Sequence, residues 1–254
     1  MEVHHHPDLH HKKKNFKEYF LEFLMIFLAV TMGFFAEGLR EHLADKSKEK
    51  EFMVSLKEDL ISDTIQLHYI LPASDIQYDN LDSLYFLLKA AAEGKPYDIH
   101  RLYYLNFTYG FGLIMFTPDN RTLSEIKNVG AFSLITNKAS RDSITSYDHF
   151  NETAIEDNST GYKEWMGDID KMSQKIFNYD QVKTFAFKSN IYNIFLTDSL
   201  QLKLVNNDKL LLTEYANKVR SLMMMINILI LTEQKQFESS KNLIVLLNKK
   251  YHLK

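Results

Sequence analysis

Residues 18–39, EYFLEFLMIFLAVTMGFFAEGL, form the stretch that decides the fold. As a helix, these 22 residues between Lys17 and Arg40 would span about 33 Å, enough to cross a bilayer core of about 30 Å. The consecutive apolar residues 23–30 would occupy every face of that helix, which is typical of a helix in lipid. The stretch therefore predicts a transmembrane helix over residues 18–39.

A cleaved signal peptide is the alternative interpretation of the same stretch. The small residues at 36–38 stand at a plausible cleavage spacing. The apolar region, however, is longer than the usual length of about 7–15 residues, and the large Phe34 and Phe35 lie just before the candidate site. We therefore prefer an uncleaved signal anchor.

The charges on either side of the span predict its orientation. Lys12, Lys13, Lys14 and Lys17 precede it, and four cations follow it over residues 40–51, so the two flanks are nearly balanced in lysine and arginine. Because lysine and arginine close to the membrane mark the cytoplasmic side, the denser cluster before the span predicts the basic tail of residues 1–17 in the cytoplasm. Residues 40–254 are then predicted as a helical periplasmic domain, anchored in the inner membrane.

The same tail is rich in histidine. Imidazole nitrogens bind nickel, zinc or copper, but the histidines are interrupted by Pro7-Asp8-Leu9 and carry no preorganised geometry. The break also argues against an unbroken purification tag. The preferred interpretation is a solvated tail that helps to set the topology, with no metal and no cofactor.

One face of the span is a candidate helix–helix interface. Ala29 and Gly33 make a small-xxx-small pair, which lets a second helix approach closely. Carboxylates near the ends of the same face would gain from contact with protein rather than lipid. The alternative is that small residues are simply common in membrane spans. The candidate interface residues are Glu22, Ile26, Ala29, Gly33 and Glu37.

Three segments of the chain resemble a known family. The opening MEVHHH, the span EFLMIFLAVTMGFFAE and the charged segment KEKEFMVSLKEDL resemble a family of uncharacterised single-pass membrane proteins of Bacteroidota. The resemblance extends through TLSEIKNVGAFSLITNKASRDSITSYDHF to the C-terminal region. It implies the single-pass topology and contributes no catalytic residue.

Composition predicts a mainly α protein, with one transmembrane helix followed by an extramembrane helical bundle of long helices. Glycine (8) and proline (4) are scarce among the 254 residues, whereas sandwiches and barrels need turn residues at short intervals. The chain has no cysteine, which excludes disulfides and thiolate chemistry. A net charge of −3 gives no reason to expect nucleic acid as a partner.

Helix boundaries in the body follow from local signals. We predict a helix over residues 38–71 that Pro72 stops or kinks, and a second over 75–93 that ends at Gly94. Thr122 and Glu125 form the pattern of a capping box for the next helix. The later signals are Gly130 as a helix end, Asn137 and residues 206–208 as helix starts, and residues 138–178 and 209–249 as helical segments, with Gly161 interrupting the first. Residues 181–205 are rich in β-branched and aromatic side chains at near-helical spacing, and their structure stays open.

Two further stretches are open to more than one interpretation. Residues 99–116 are rich in aromatic side chains that could form a helix, a loop or buried strands, and that could line a ligand pocket, although such density is more typical of a core. Residues 222–231, LMMMINILIL, are too short to be a second span and contain Asn227. They are predicted to be a buried core helix.

Candidate catalytic or metal-binding patterns are weak. His149, Glu152 and Glu156 share a helical face, as in carboxylate–histidine metal sites, but a solvated face is the more ordinary explanation. Tyr109-Gly110-Phe111-Gly112 lacks the third glycine and the lysine of a phosphate loop. We therefore predict that the protein is not an enzyme.

Two functional hypotheses remain. The first is a membrane-anchored helical scaffold or accessory subunit, which associates with the bilayer and with a protein partner or a second copy through the membrane helix and the helix that follows it. The second is a periplasmic sensor that binds a small molecule in the aromatic region, residues 103–116. A metal-dependent hydrolase centred on His149 is a remote third.

Overall fold

The computed structural model describes residues 15–159, 162–183 and 201–253, with the side chains of residues 155–164 and 182–183 left out. Chain contacts divide the protein into two units, residues 1–51 and 52–254. Helix makes up most of the described residues, so the mainly α prediction is confirmed. The elements are α1 (Phe16–Ala92), α2 (Ile99–Tyr109), α3 (Arg121–Asn128), a 3₁₀ helix (Ala131–Leu134), α4 (Lys138–Ser159), α5 (Tyr162–Ile176), α6 (Asp180–Lys183) and α7 (Lys209–Tyr251).

Within the first unit, residues 16–51 are the N-terminal part of α1. This part contains the one segment, among the described residues, that is long and apolar enough to cross a membrane, and none of that segment is buried. Most of its large apolar side chains are well exposed, including Phe23, Met25 and Ile26. The prediction of an N-terminal membrane helix is therefore supported by length, composition and exposure. Residues 1–14 of the predicted tail lie outside the described residues.

In the second unit, one apolar face of α1 is buried in the core. The residues Phe52, Leu56, Leu60, Leu67, Leu81, Leu84 and Leu88 are buried at helical spacing. Elsewhere in the core, α4 and α5 pack against α7. Burial of these apolar faces is what stabilises the helices as a bundle.

The predicted break at Pro72 is wrong, because α1 continues through it to Ala92. Proline removes one backbone donor and crowds the carbonyl four residues earlier, which belongs to His68. His68 and Pro72 are both exposed, so water can replace the lost partner of that carbonyl. Leu67 and Ser74 are buried on either side of the proline, and their packing stabilises the helical conformation across it.

The other boundaries follow the expected signals. The helix α1 ends just before Gly94, which has a φ of 67°, and Gly130 likewise adopts a left-handed conformation after α3. Asn137 accepts a hydrogen bond from the Ser140 N–H, and Asp208 accepts one from the Leu211 N–H. The predicted segment 138–178 contains α4 and α5, and the predicted interruption at Gly161 lies outside the described residues, as does most of the predicted segment 181–205.

The core contains two hydrophobic clusters. The first, the aromatic cluster, is centred on Phe177, whose ring meets Tyr103, Phe107 and Tyr215 edge-on with centroids 5.0–6.2 Å apart. The second, the distal cluster, joins α1, α3, α4 and the end of α7 and includes Leu56, Leu60, Leu123, Ile144 and Leu247. The predicted core helix at 222–231 is part of α7 and is buried on one face only, with Leu222, Met223, Ile226, Leu229 and Ile230 buried and Met224, Ile228 and Leu231 exposed.

Candidate functional site

Two aspartates interrupt the apolar face of α1. Asp59 and Asp63 are 3% and 1% exposed and lie one turn apart between the buried Leu56 and Leu67. Isolated carboxylates at such positions would be costly. Each of them is held by hydrogen bonds, and together they begin a polar chain that runs through the bundle.

Asp59 caps the start of α3. One of its carboxylate oxygens accepts from the Thr122 N–H at 2.9 Å, and the other accepts from the Arg121 guanidinium at 2.9 Å. The capping box predicted for Thr122 and Glu125 is therefore wrong, because the N–H group at the helix start is satisfied from a different helix. Asn120, at the N-cap position, makes no capping bond with its own side chain.

Asp63 joins α1 to α4. Its Oδ1 accepts from the Asp119 N–H at 2.7 Å, and its Oδ2 accepts from the Tyr147 hydroxyl at 2.6 Å. Burial raises the pKa of Asp63, and these two hydrogen bonds oppose the rise. Burial and the adjacent carboxylate raise the pKa of Tyr147 well above its ordinary value, so its proton stays on the hydroxyl.

From Tyr147 the polar chain continues along α7. The Ser240 hydroxyl lies 3.2 Å from the Tyr147 hydroxyl and 3.0 Å from the Gln236 carbonyl. The Gln236 amide donates to Asn151 Oδ1 at 3.0 Å. Ser240, Gln236 and Asn151 are all at most 3% exposed, so this is a hydrogen-bonded network inside the bundle.

Glu233 lies one turn before Gln236 on α7 and is 1% exposed. Its Oε1 accepts from the Phe116 N–H at 2.9 Å, while its Oε2 has no hydrogen-bond partner among the described residues. Burial raises the pKa of Glu233 to about 7, against the lowering effect of the Phe116 N–H. Burial therefore makes this carboxyl group much easier to protonate near neutral pH than an exposed glutamate.

A cavity of about 90 Å³ lies beside Glu233. Its walls are mostly apolar, from Phe116, Met115, Leu229 and Ala154, and its polar groups come from Glu233, Gln236 and Thr117. The combination of a small apolar cavity and a buried carboxyl with an unpaired oxygen is the strongest candidate for a functional site in the described part of the chain.

Most of the predicted aromatic region belongs to the core. Tyr103 and Phe107 are buried in the aromatic cluster, and the Tyr103 hydroxyl donates to the Lys203 carbonyl at 2.7 Å. Residues 109–112 are the last residue of α2 and the bend that follows it, where the Gln77 amide donates to the carbonyls of Tyr109 and Gly112. Phe116, at the end of this region, is the aromatic residue that reaches the cavity.

Two members of the predicted histidine–carboxylate group, His149 and Glu152, lie on an exposed face of α4, and Glu152 is paired with a lysine. Lys127 forms ion pairs with Glu152 at 2.6 Å and with Asp148 at 2.7 Å. The side chain of Glu156 lies outside the described residues. Among the residues that the structure describes, no group of three or more histidine or acidic side chains is arranged to hold a metal ion.

The interface candidates in the first unit lie on one exposed face of α1. Ile26 is 61% exposed, and a side chain added at Gly33 would meet nothing within 4 Å. Glu37 forms an ion pair with Arg40 on the next turn. Glu22 and Ala29 are exposed on the same face, which leaves that face open.

The residues of the polar chain were missed at the sequence level, although a signal was present. On α7, Glu233, Gln236 and Ser240 recur at spacings of three and four, in register with the buried Ile226, Leu229, Leu243 and Leu247. Polar residues on the apolar stripe of a long helix indicate buried, paired groups. The same holds for Asp59 and Asp63 on α1.

No protein-family model, curated protein or solved structure matches the chain.

Proposed function

We propose that the protein is a membrane-anchored helical scaffold or accessory subunit. The observation that carries this proposal is the wholly exposed, all-round apolar segment at the start of α1. Such a surface is unstable in water, and lipid or another protein would cover it. The helical bundle of residues 52–254 would then act at the membrane surface.

A second exposed apolar face supports association through the part of α1 that follows the span. Ile65 and Tyr69 on α1 are 54% and 72% exposed, and Ile61 lies one turn before them. Phe237 of α7 lies beside the same surface. Apolar side chains that recur on one face of a surface helix are typical of contact with a partner.

In the proposed topology, the N-terminal tail is cytoplasmic and the bundle is periplasmic, and the anchor lies in the inner membrane. The denser cluster of lysines, which lies just before the span, supports this orientation, although the number of lysines and arginines is equal on the two sides. The face formed by Glu22, Ile26, Ala29, Gly33 and Glu37 would meet a partner helix or a second copy, since its small residues allow close approach.

Membrane extraction and cysteine labelling test the proposal together. The full chain should stay with membranes in alkaline carbonate and be released by mild detergent as a defined complex. Because the natural chain has no cysteine, single variants Lys13→Cys and Asn207→Cys can be labelled one at a time. An impermeant maleimide should label Asn207→Cys, and not Lys13→Cys, in cells with a permeabilised outer membrane. Release by carbonate, or the opposite labelling pattern, would contradict the anchor or the orientation.

A ligand-binding sensor is the second candidate function. Phe116 and Met115 of the predicted aromatic region line the cavity beside Glu233, and this observation supports ligand binding. The other aromatic residues of the region pack in the core, so any binding site would lie at the end of the region rather than across it.

A further inference from the structure

The volume of the cavity beside Glu233 admits only a very small ligand. Its volume of about 90 Å³ is smaller than the roughly 150 Å³ of an apolar cavity that admits benzene. A molecule of about three or four non-hydrogen atoms would fill it. The walls formed by Phe116, Met115, Leu229 and Ala154 favour an aliphatic group.

The polar end of the cavity calls for a donor that carries positive charge. Glu233 Oε2 is unpaired and buried, while Oε1 is already engaged by the Phe116 N–H. A neutral donor would satisfy the oxygen but leave the charge of the carboxylate uncompensated. An ammonium group would do both, since it donates hydrogen bonds and cancels the charge.

Among the side chains that the structure describes, the charged groups around the cavity do not provide this cation. The other lining residues are uncharged, and α4 contributes Ala154 to the wall and the neutral Asn151 beyond Gln236. The members of the polar chain that titrate, Asp63 and Tyr147, do not line the cavity, and Ser240 and Asn151 connect Tyr147 to the Gln236 side of the chain. Lys235 lies over the ring of Phe150, with its Nζ 4.7 Å from the centroid.

We propose that this cavity binds a small primary alkylammonium ion, with the ammonium group against Glu233 Oε2 and the alkyl group against Phe116 and Leu229. This inference does not rest on the scaffold function, since the cavity lies wholly within the bundle. A cation requires the ionised carboxylate, so binding should compete with protonation of Glu233. Its pKa of about 7 therefore makes affinity rise with pH up to neutrality.

The test uses the full chain in detergent micelles and n-propylammonium chloride as the probe. Binding is measured by calorimetry and by the thermal unfolding midpoint, with the fluorescence of the single tryptophan, Trp165, as the signal. Sodium chloride at equal ionic strength and neutral n-propanol are the controls. Propylammonium should bind and raise the midpoint more than either control, with affinity that falls about tenfold per pH unit below about pH 6.

Three variants make the test specific. Glu233→Gln keeps the shape of the side chain and an acceptor for the Phe116 N–H, and it should lower affinity for propylammonium at least about tenfold. Glu214→Gln makes the same change at an exposed position of α7 and should leave binding unchanged. Ala154→Leu, which fills the cavity and retains Glu233, should also abolish binding.

The outcomes decide the proposal. Specific binding that is lost in Glu233→Gln and in Ala154→Leu supports it. Absence of calorimetric heat and of a midpoint shift in the natural chain overturns it, because water alone would then occupy the cavity. Equal binding by the natural chain and both cavity variants also overturns it. If Glu233→Gln does not fold, Ala154→Leu and the comparison of propylammonium with n-propanol still decide between binding and its absence.

Discussion

The Tyr147 hydroxyl donates to Asp63 Oδ2 at 2.6 Å, although 84 residues separate the two in sequence and both are at most 2% exposed. The bond joins α1 to α4 in the middle of the bundle and continues through Ser240 into α7. A specific arrangement of helices is therefore fixed by polar contacts as well as by apolar packing.

Removal of this bond should destabilise the bundle. Tyr147→Phe leaves the Asp63 carboxylate buried with one donor fewer, which we expect to cost about 1–3 kcal/mol of unfolding free energy. Chemical denaturation of the full chain in micelles, followed by Trp165 fluorescence, measures the effect. Tyr69→Phe removes a hydroxyl from an exposed tyrosine of α1 and should change stability by less than about 0.5 kcal/mol. Equal effects of the two changes would argue against the proposed role of the bond.

Asp59 should matter more to α3 than the capping box in its own sequence. Asp59→Ala removes the acceptor for the Thr122 N–H and a partner of Arg121, and we expect a loss of about 1–2 kcal/mol. The matched change is Glu125→Ala on exposed Glu125, which should alter stability by less than about 0.5 kcal/mol. The same denaturation measurement compares the two variants. A larger loss of stability in Glu125→Ala would contradict the cap from Asp59 and favour the capping box predicted from the sequence.

Glu233 should make stability depend on pH. Its pKa is about 7 in the folded chain against an ordinary value of 4.5, so between these pH values the folded chain binds a proton that the unfolded chain releases. The free energy of unfolding should therefore decrease as pH rises through this window, by about 3 kcal/mol at most and by less if water in the cavity screens the charge.

Comparison of variants isolates this effect, because the raised pKa of Asp63 acts in the same direction. Glu233→Gln should flatten the decrease between about pH 5 and 7 relative to the natural chain. Glu214→Gln should reproduce the natural curve. The role of Glu233 would be refuted by a Glu233→Gln curve parallel to that of the natural chain.

Association through the membrane helix can be tested with two glycines. Gly33 lies on the candidate interface, and Gly38, five residues later, lies about 140° around the helix. A Cβ added at either glycine would have no neighbour within 4 Å, so leucine fits both positions in the isolated chain. Gly33→Leu should weaken the complex seen after mild detergent extraction, measured by chemical cross-linking, and Gly38→Leu should not. Equal cross-linking of both variants would exclude this face.

Several helix ends were predicted correctly from local sequence signals. The start of α7 at Asp208 and the end of α1 before Gly94 depend on residues within one turn of the boundary. The effect of Pro72 was predicted wrongly because it depends on whether the neighbouring residues are exposed or packed, which sequence spacing does not show.

The candidate site was harder to predict, since its members come from distant parts of the chain. Phe116 and Glu233 are 117 residues apart, and neither belongs to a known short motif. The polar interruptions on the apolar faces of α1 and α7 identify which residues are buried. They do not reveal which partners these residues meet, because that depends on how the helices pack.

The bond from Asp59 to Thr122 also has a consequence for the order of folding. An 8-residue helix such as α3 is too short to persist alone in water, and its first turn here takes its cap from a residue 63 positions earlier. The loop between them must close before α3 is complete, and that closure costs entropy. We therefore expect α3 to form late, after α1 has found its place, so that kinetic measurements on Asp59→Ala would show faster unfolding with nearly unchanged refolding.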